Sequence, residues 1–315
     1  MNTQSNAEPD SSLESPPTAP TVISATRPMY WSVRRELWEN RSIYIGPLAA
    51  AAVVMLGFLI SLIWLPHNML DISALDPAHQ AAVLARPYSH AAMLVTLTAF
   101  LVGIFYCLDA LHSERRDRSI LFWKSLPVSD VTTVLSKASI PLVVLPLLVF
   151  AITVPLQLVM RLVSTAALLM SGQGTATLWT RLPLFEMELV LLYGLIVLAL
   201  WHAPLYAWLL LVSGWARRGT FLWAVLPPLA IGVFEKIAFH TSHFGRLLQD
   251  RLFGFAAGAF DLRSQGGESI DAHFIPLSRL APGRFLSSPS LWLGLVVTAA
   301  LLAAAVRLRH YREPI

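Results

Sequence analysis

The sequence predicts an all-α, polytopic membrane protein with about six transmembrane helices. Three observations carry that prediction. Hydrophobic residues make up 56% of the 315 positions and charged residues only 13%, against roughly 25% charged in a soluble domain. Mean hydropathy is +0.61. The apolar residues also fall in long uncharged runs, of the ~20 residues that a helix needs to cross ~30 Å of hydrocarbon.

Residues 1–27 are rich in Ser, Thr and Pro and carry only acidic charge ahead of Arg27. They hold too little apolar surface to fold, so a disordered cytoplasmic tail is expected. No cleavable signal peptide is expected, because the first apolar run starts only after Arg41 and is too long for a signal h-region. The membrane-spanning body then occupies 28–315. Its first part, PMYWSVRRELWENR, sets Tyr30, Val33 and Leu37 on one helical side, flanked by Trp31 and Trp38. Arg34, Arg35, Glu36 and Glu39 take much of the rest. Aromatic and aliphatic residues opposite charges describe a helix lying in the bilayer interface, with Trp31, Arg34, Arg35 and Trp38 as anchors. A soluble amphipathic helix has the same pattern, but the apolar run that follows at once favours the interface.

The spans are expected near 42–66, 87–109, 138–162, 188–214, 219–240 and 286–306. Pro141, Pro146 and Pro155 lie in the third and Pro227-Pro228 in the fifth. Neighbouring helices can re-satisfy the carbonyls that such prolines free. Leu162 to Thr180 is also uncharged, but its Ser, Thr, Gly and Gln read as an extension of the third helix followed by an external loop. With six spans, one side collects fourteen of the 23 Lys and Arg residues, from Arg27 to Arg312. By the positive-inside rule both termini are expected in the cytoplasm.

The net charge of +4 and the pI near 9.5 do not point to nucleic acid, because the basic residues cluster at the ends of apolar runs. The single cysteine, Cys107, excludes an internal disulfide and a multi-thiolate metal site. It reads as a small buried hydrophobe.

Polar groups inside spans are costly and so are candidates for function. His202 lies in the fourth span, Asp109 closes the second, and Glu186 and Glu188 open the fourth, where negative charge suits a helix N-terminus. Glu235, His240 and His243 gather near the external end of the fifth. That trio could share a metal, but the spacing matches no H-E-x-x-H motif, and no metal is expected. An intramembrane hydrolase would need paired glutamates and His deep in several spans, which leaves it as a minor alternative. The external loop, 241–285, opens with Phe244, Leu247, Leu248, Leu252 and Phe255 at helical spacing.

The cytoplasmic loop 110–137 is the most patterned polar stretch. Glu114 and Arg118 stand four apart, supporting a helix. Ile120, Leu121, Phe122, Trp123 and Leu126 follow as an apolar cluster beside Lys124. Pro127 ends that helix, and Ser129-Asp130 caps the next. Large apolar residues exposed on a soluble-side loop usually mean that a partner docks there. The plainer reading is a solvated basic loop.

These residues, ERRDRSILFWKSLPVSDVTTVLSK, resemble the first cytoplasmic loop of the permease subunits of type-2 ATP-binding-cassette (ABC) exporters, a bacterial transporter family. The layout of interfacial helix, six spans and long last external loop is similar too. Where many members of that family carry Gly-Thr after the basic residues, this chain has Arg118-Ser119. The resemblance implies a permease of the inner (cytoplasmic) membrane that forms a translocation pathway with a second permease copy, as a homodimer or a heterodimer, and is driven by a separate ABC ATPase. It implies a cytoplasmic coupling helix, with Glu114, Arg118, Leu121, Phe122, Lys124, Leu126 and Pro127 as contacts to that ATPase. ATP and Mg would be bound by the ATPase and no cofactor by this chain, in which no G-x-x-x-x-G-K-[ST] phosphate loop occurs. Spans with few charges favour a lipophilic or amphipathic cargo. A membrane-complex or maturation component built on the same permease scaffold is the alternative.

Overall fold

The structure, a computed structural model, describes residues 26–65, 72, 74–117, 129–261 and 275–311. Among these residues the regular structure is helical, with one isolated bridge between Phe260 and Leu280. Helix α1 spans Thr26–Glu39, α2 Ser42–Ser61, α3 Pro77–Asp109 and α4 His112–Arg116. Helix α5, Asp130–Ser139, runs through a π turn at Ile140–Val144 into α6, Leu145–Met170. Then come α7, Ala176–Arg181, α8, Leu184–Trp215, and α9, Thr220–Phe239. Helices α10, His243–Phe253, α11, Phe255–Ala259, and α12, Pro282–Leu286, precede α13, Pro289–Tyr311. Among the described residues, six helical stretches are long and apolar enough to cross a membrane, built on α2, α3, α5–α6, α8, α9 and α13. Large apolar side chains such as Ile60, Val233 and Val296 point outward along them. Lipid, not water, suits such a surface.

Several boundaries differ from the apolar runs, each for a local reason. The second helix starts at Pro77, not Pro87. The Asp76 carboxylate accepts the His79 N–H as N-cap, and proline at the first helical position loses no hydrogen bond. Pro87 sits inside the same helix. The third helix starts at Asp130, because the Ser129 hydroxyl accepts the Thr132 N–H at 3.1 Å. It continues to Met170, so the last part of the 110–137 segment is the foot of the third span. Pro141, inside the π turn, and Pro146, just after it, donate no N–H. The first span ends at Ser61, before residue 66, and the last runs from Pro289 to Tyr311. The 241–285 segment is largely helical where it is described.

Helix packing relies on close approach at small residues, since lipid removes the hydrophobic drive between spans. A Cβ at Gly103 would lie 3.2 Å from both the Leu145 and the Tyr206 side chains, where α3, α6 and α8 meet. A Cβ at Gly46 would lie 2.9 Å from Val102, where α2 crosses α3. The broadest helix contact is α8 on α13, followed by α2 on α3. Helix α1 lies against α5 at the end of the bundle where α13 also finishes. The first and last described helices thus meet at one end, as an even number of crossings requires.

Candidate functional site

That meeting point is a buried cluster of charges drawn from four parts of the chain. On α1, the spacing that turns Val33 and Leu37 toward the core also turns Glu36 inward, leaving it 1% exposed. Lys137, on the last turn of α5 and 2% exposed, donates to Glu36 Oε1 at 2.8 Å. The Tyr106 hydroxyl, one turn above the end of α3, donates to Glu36 Oε2 at 2.8 Å. Glu114, on α4 and 6% exposed, takes Arg35 at 2.9 Å and Lys137 at 3.1 Å on one oxygen. Its other oxygen takes the Arg309 guanidinium from α13. Arg309 also donates to Asp130, the first residue of α5, at 3.0 Å. Three cations, Arg35, Lys137 and Arg309, thus face three carboxylates, Glu36, Glu114 and Asp130. Such pairing and hydrogen bonding is what lets charges stay buried at all.

The cluster has a partly wet rim. Arg35 reaches Glu39 at 3.5 Å on the exposed side of α1. Burial works to lower the Arg35 pKa, and the carboxylates of Glu36, Glu39 and Glu114 outweigh it and hold the group above its ordinary value. Burial raises the Glu39 carboxyl, partly offset by Arg35. Next to the cluster, Arg115 donates to the Gly214 carbonyl at 2.7 Å, filling an acceptor that the end of α8 leaves open. The Leu111 N–H reaches Ser213 Oγ at 3.4 Å, so the turn between α3 and α4 is stitched to α8 as well.

The residues singled out from the sequence divide among several fates. Glu114 lies inside the cluster, not on an open docking face. Arg118, Leu121, Phe122, Lys124, Leu126 and Pro127 lie outside the described residues. The described flanks of that segment, α4 and α5, are both held by the cluster. Of the four interfacial residues, Trp31 and Trp38 are exposed, and the Arg34 guanidinium sits 5.2 Å and 4.9 Å from their ring centres. Arg35 faces the other way, into the cluster.

Of the remaining polar candidates, His202, Glu235 and His243 have structural partners. The ring nitrogens of His202 face the Leu198 carbonyl at 3.0 Å and the Leu252 carbonyl at 3.3 Å, fastening α8 to the end of α10. Glu235 accepts the backbone N–H groups of His243 at 2.6 Å and Phe244 at 2.8 Å, and so caps α10. His243 meets Arg246 at 3.2 Å. Glu186 stands exposed in the first turn of α8 and Asp109 is exposed at the end of α3. Among the described residues, no three His, Cys, Asp or Glu side chains are grouped to hold a metal ion.

The sequence reading missed the cluster itself. Its one local signal was the presence of carboxylates, Glu36 and Glu114, at an otherwise basic set of span ends. A polar seam between α3 and α6 was missed too: Gln157, buried, donates to the Tyr88 carbonyl at 3.1 Å, beside the fully buried Thr153. Comparison of the chain with protein-family models, with curated proteins and with solved structures gives no match.

Proposed function

We propose that this chain is the permease subunit of an ATP-driven ABC exporter of the inner membrane. In this reading it lines a translocation pathway together with a second permease copy. A separate ATPase, which holds the ATP and Mg, docks on the segment between α4 and α5 on the cytoplasmic side. The observation that carries the reading is the charge cluster. It ties both flanks of that segment, Glu114 before it and Asp130 and Lys137 after it, to α1 and α13. A force applied to the segment therefore reaches the feet of the second, third and sixth spans and the N-terminal helix together. Glu114 then acts as a link inside the permease, and the ATPase contacts fall to Leu121, Phe122, Lys124 and their neighbours. The loop sequence supports the same reading through its resemblance to the family, and spans poor in charge suit a lipophilic or amphipathic cargo.

The test is affinity purification of the full chain from its native membrane, with identification of what accompanies it. The expected result is a phosphate-loop ATPase whose recovery, and whose ATP hydrolysis, fall severalfold with Phe122→Asp. Recovery of no such ATPase, or recovery unchanged by both Phe122→Asp and Leu121→Asp, overturns the proposal. Orientation is tested separately. A cysteine added after Ile315 is expected to resist a membrane-impermeant maleimide in intact cells, and its labelling would reverse the assignment.

A further inference from the structure

Two facing stripes form an open groove of about 490 Å³ at the basic end of the bundle. Helix α8 contributes Trp208, Leu211, Val212 and Trp215. Helix α13 contributes Ala304, Arg307, Leu308 and Tyr311. Each set repeats at the i, i+3, i+4, i+7 spacing that lines one face of a helix. Helix α9 borders the groove on one side: Trp208 Nε1 donates to the Ala224 carbonyl at 3.0 Å, and the Trp215 and Trp223 rings meet at 4.7 Å.

The volume falls within the ~300–1,000 Å³ of ligand sites. The walls are apolar and aromatic, and the one charged lining side chain is the exposed Arg307. Among the described residues no carboxylate pairs with Arg307. Arg217 and Arg218, also exposed, follow directly after α8. An apolar slot between spans with aromatic walls and the Arg307 guanidinium in its lining matches an acyl chain below and an anionic headgroup above. We propose that this groove binds one anionic phospholipid, its chain along Trp208 and Leu308 and its phosphate on Arg307. Arg307 and Arg309 lie on the same turn of α13, one facing the groove and the other the charge cluster. The bound lipid therefore braces the helix end that carries Arg309. This site stands on the membrane fold and is independent of the transport proposal.

The test is native mass spectrometry of the full chain in detergent, titrated with phosphatidylglycerol or phosphatidylcholine of identical acyl chains. Wild type is expected to retain a single phosphatidylglycerol about fivefold more readily than phosphatidylcholine, the effect of roughly one cation beside an anionic headgroup. Arg307→Ala lowers phosphatidylglycerol retention more than phosphatidylcholine retention and so removes that preference, while Arg307→Lys keeps it. Ala304→Trp, which fills the slot, lowers retention of both lipids. Equal retention of the two lipids by wild type overturns the proposal, as does retention unchanged in both Arg307→Ala and Ala304→Trp. A chain–chain dimer that Ala304→Trp dissociates, with no lipid held, overturns it in favour of a second copy as occupant.

Discussion

Lys137 donates to Glu36 at 2.8 Å although the two stand 101 positions apart in the chain, and both side chains are almost wholly buried. The pair joins an N-terminal interfacial helix to the foot of the third span. A buried ion pair is weak evidence for net stability, because desolvation offsets much of the attraction. Its removal by halves is another matter, since an uncompensated charge then stays behind. The pair is therefore better understood as a constraint on where the two helices sit than as a source of stability.

Lys137→Ala is expected to destabilise the protein by about 3–5 kcal/mol, the usual cost of leaving one member of a buried pair unpaired. Glu36→Gln combined with Lys137→Met should lose clearly less than the two single changes added together. Thermal unfolding of the four proteins in one detergent measures this, and strictly additive losses would show that the pair is not coupled.

Gly103 tests the packing where three spans cross. A Cβ there already presses on Leu145 and Tyr206 at 3.2 Å, so Gly103→Leu is expected to cost about 1–3 kcal/mol through overpacking. Gly57, whose Cβ would meet nothing within 4 Å, is the matched control, and Gly57→Leu should leave the melting temperature nearly unchanged.

Cys107 is fully buried in α3. Its labelling by a maleimide should be negligible in the folded protein and should appear together with thermal unfolding. Rapid labelling at room temperature would contradict the packing of α3. A silent native thiol also means that the cysteine added after Ile315 can be read without first removing Cys107.

Asp76 gives a pH dependence with a definite sign. Its hydrogen bonds with His79 hold the carboxyl below its ordinary value. A depressed folded-state value means that the cap contributes above the unfolded-state carboxylate range and is lost as pH falls through the depressed value. Hydrogen exchange at the His79 amide, corrected for intrinsic rate, should rise only below the usual carboxylate range. Asp76→Ala should show the faster exchange already at neutral pH.

How much of this was readable beforehand depends on the range of the interaction. Spans follow from local composition, so α2, α8 and α9 lie where uncharged runs fall. Helix starts depend on single caps, and there the runs mislead. Pro87 resembles a boundary, whereas Asp76-Pro77, an N-cap followed by proline at the first position, holds the real signal. The cluster lies beyond local reading. Glu36, Glu114, Lys137 and Arg309 each resemble solvated charges at a span end, and their partnership depends on pairings as distant as 101 and 195 residues. For the same reason Glu114 reads from the sequence as a docking contact, although the fold turns it inward. His202 and Glu235 resemble chemistry because polar groups near membranes draw suspicion. Their partners, backbone groups of α10, appear only once the chain has folded back.

Synthesis proceeds from the amino end, so Glu36 and Glu114 enter the membrane well before Arg309 has been made. Until the sixth span is threaded, Glu114 Oε2 waits for its guanidinium and the gathering of helix feet stays open. The nascent chain thus lacks one of the three cations that hold the Glu114 carboxylate, a gap that the last helix closes. Chains stalled or cut before Arg309 keep that gap, with α13 unfastened from the feet of the other helices.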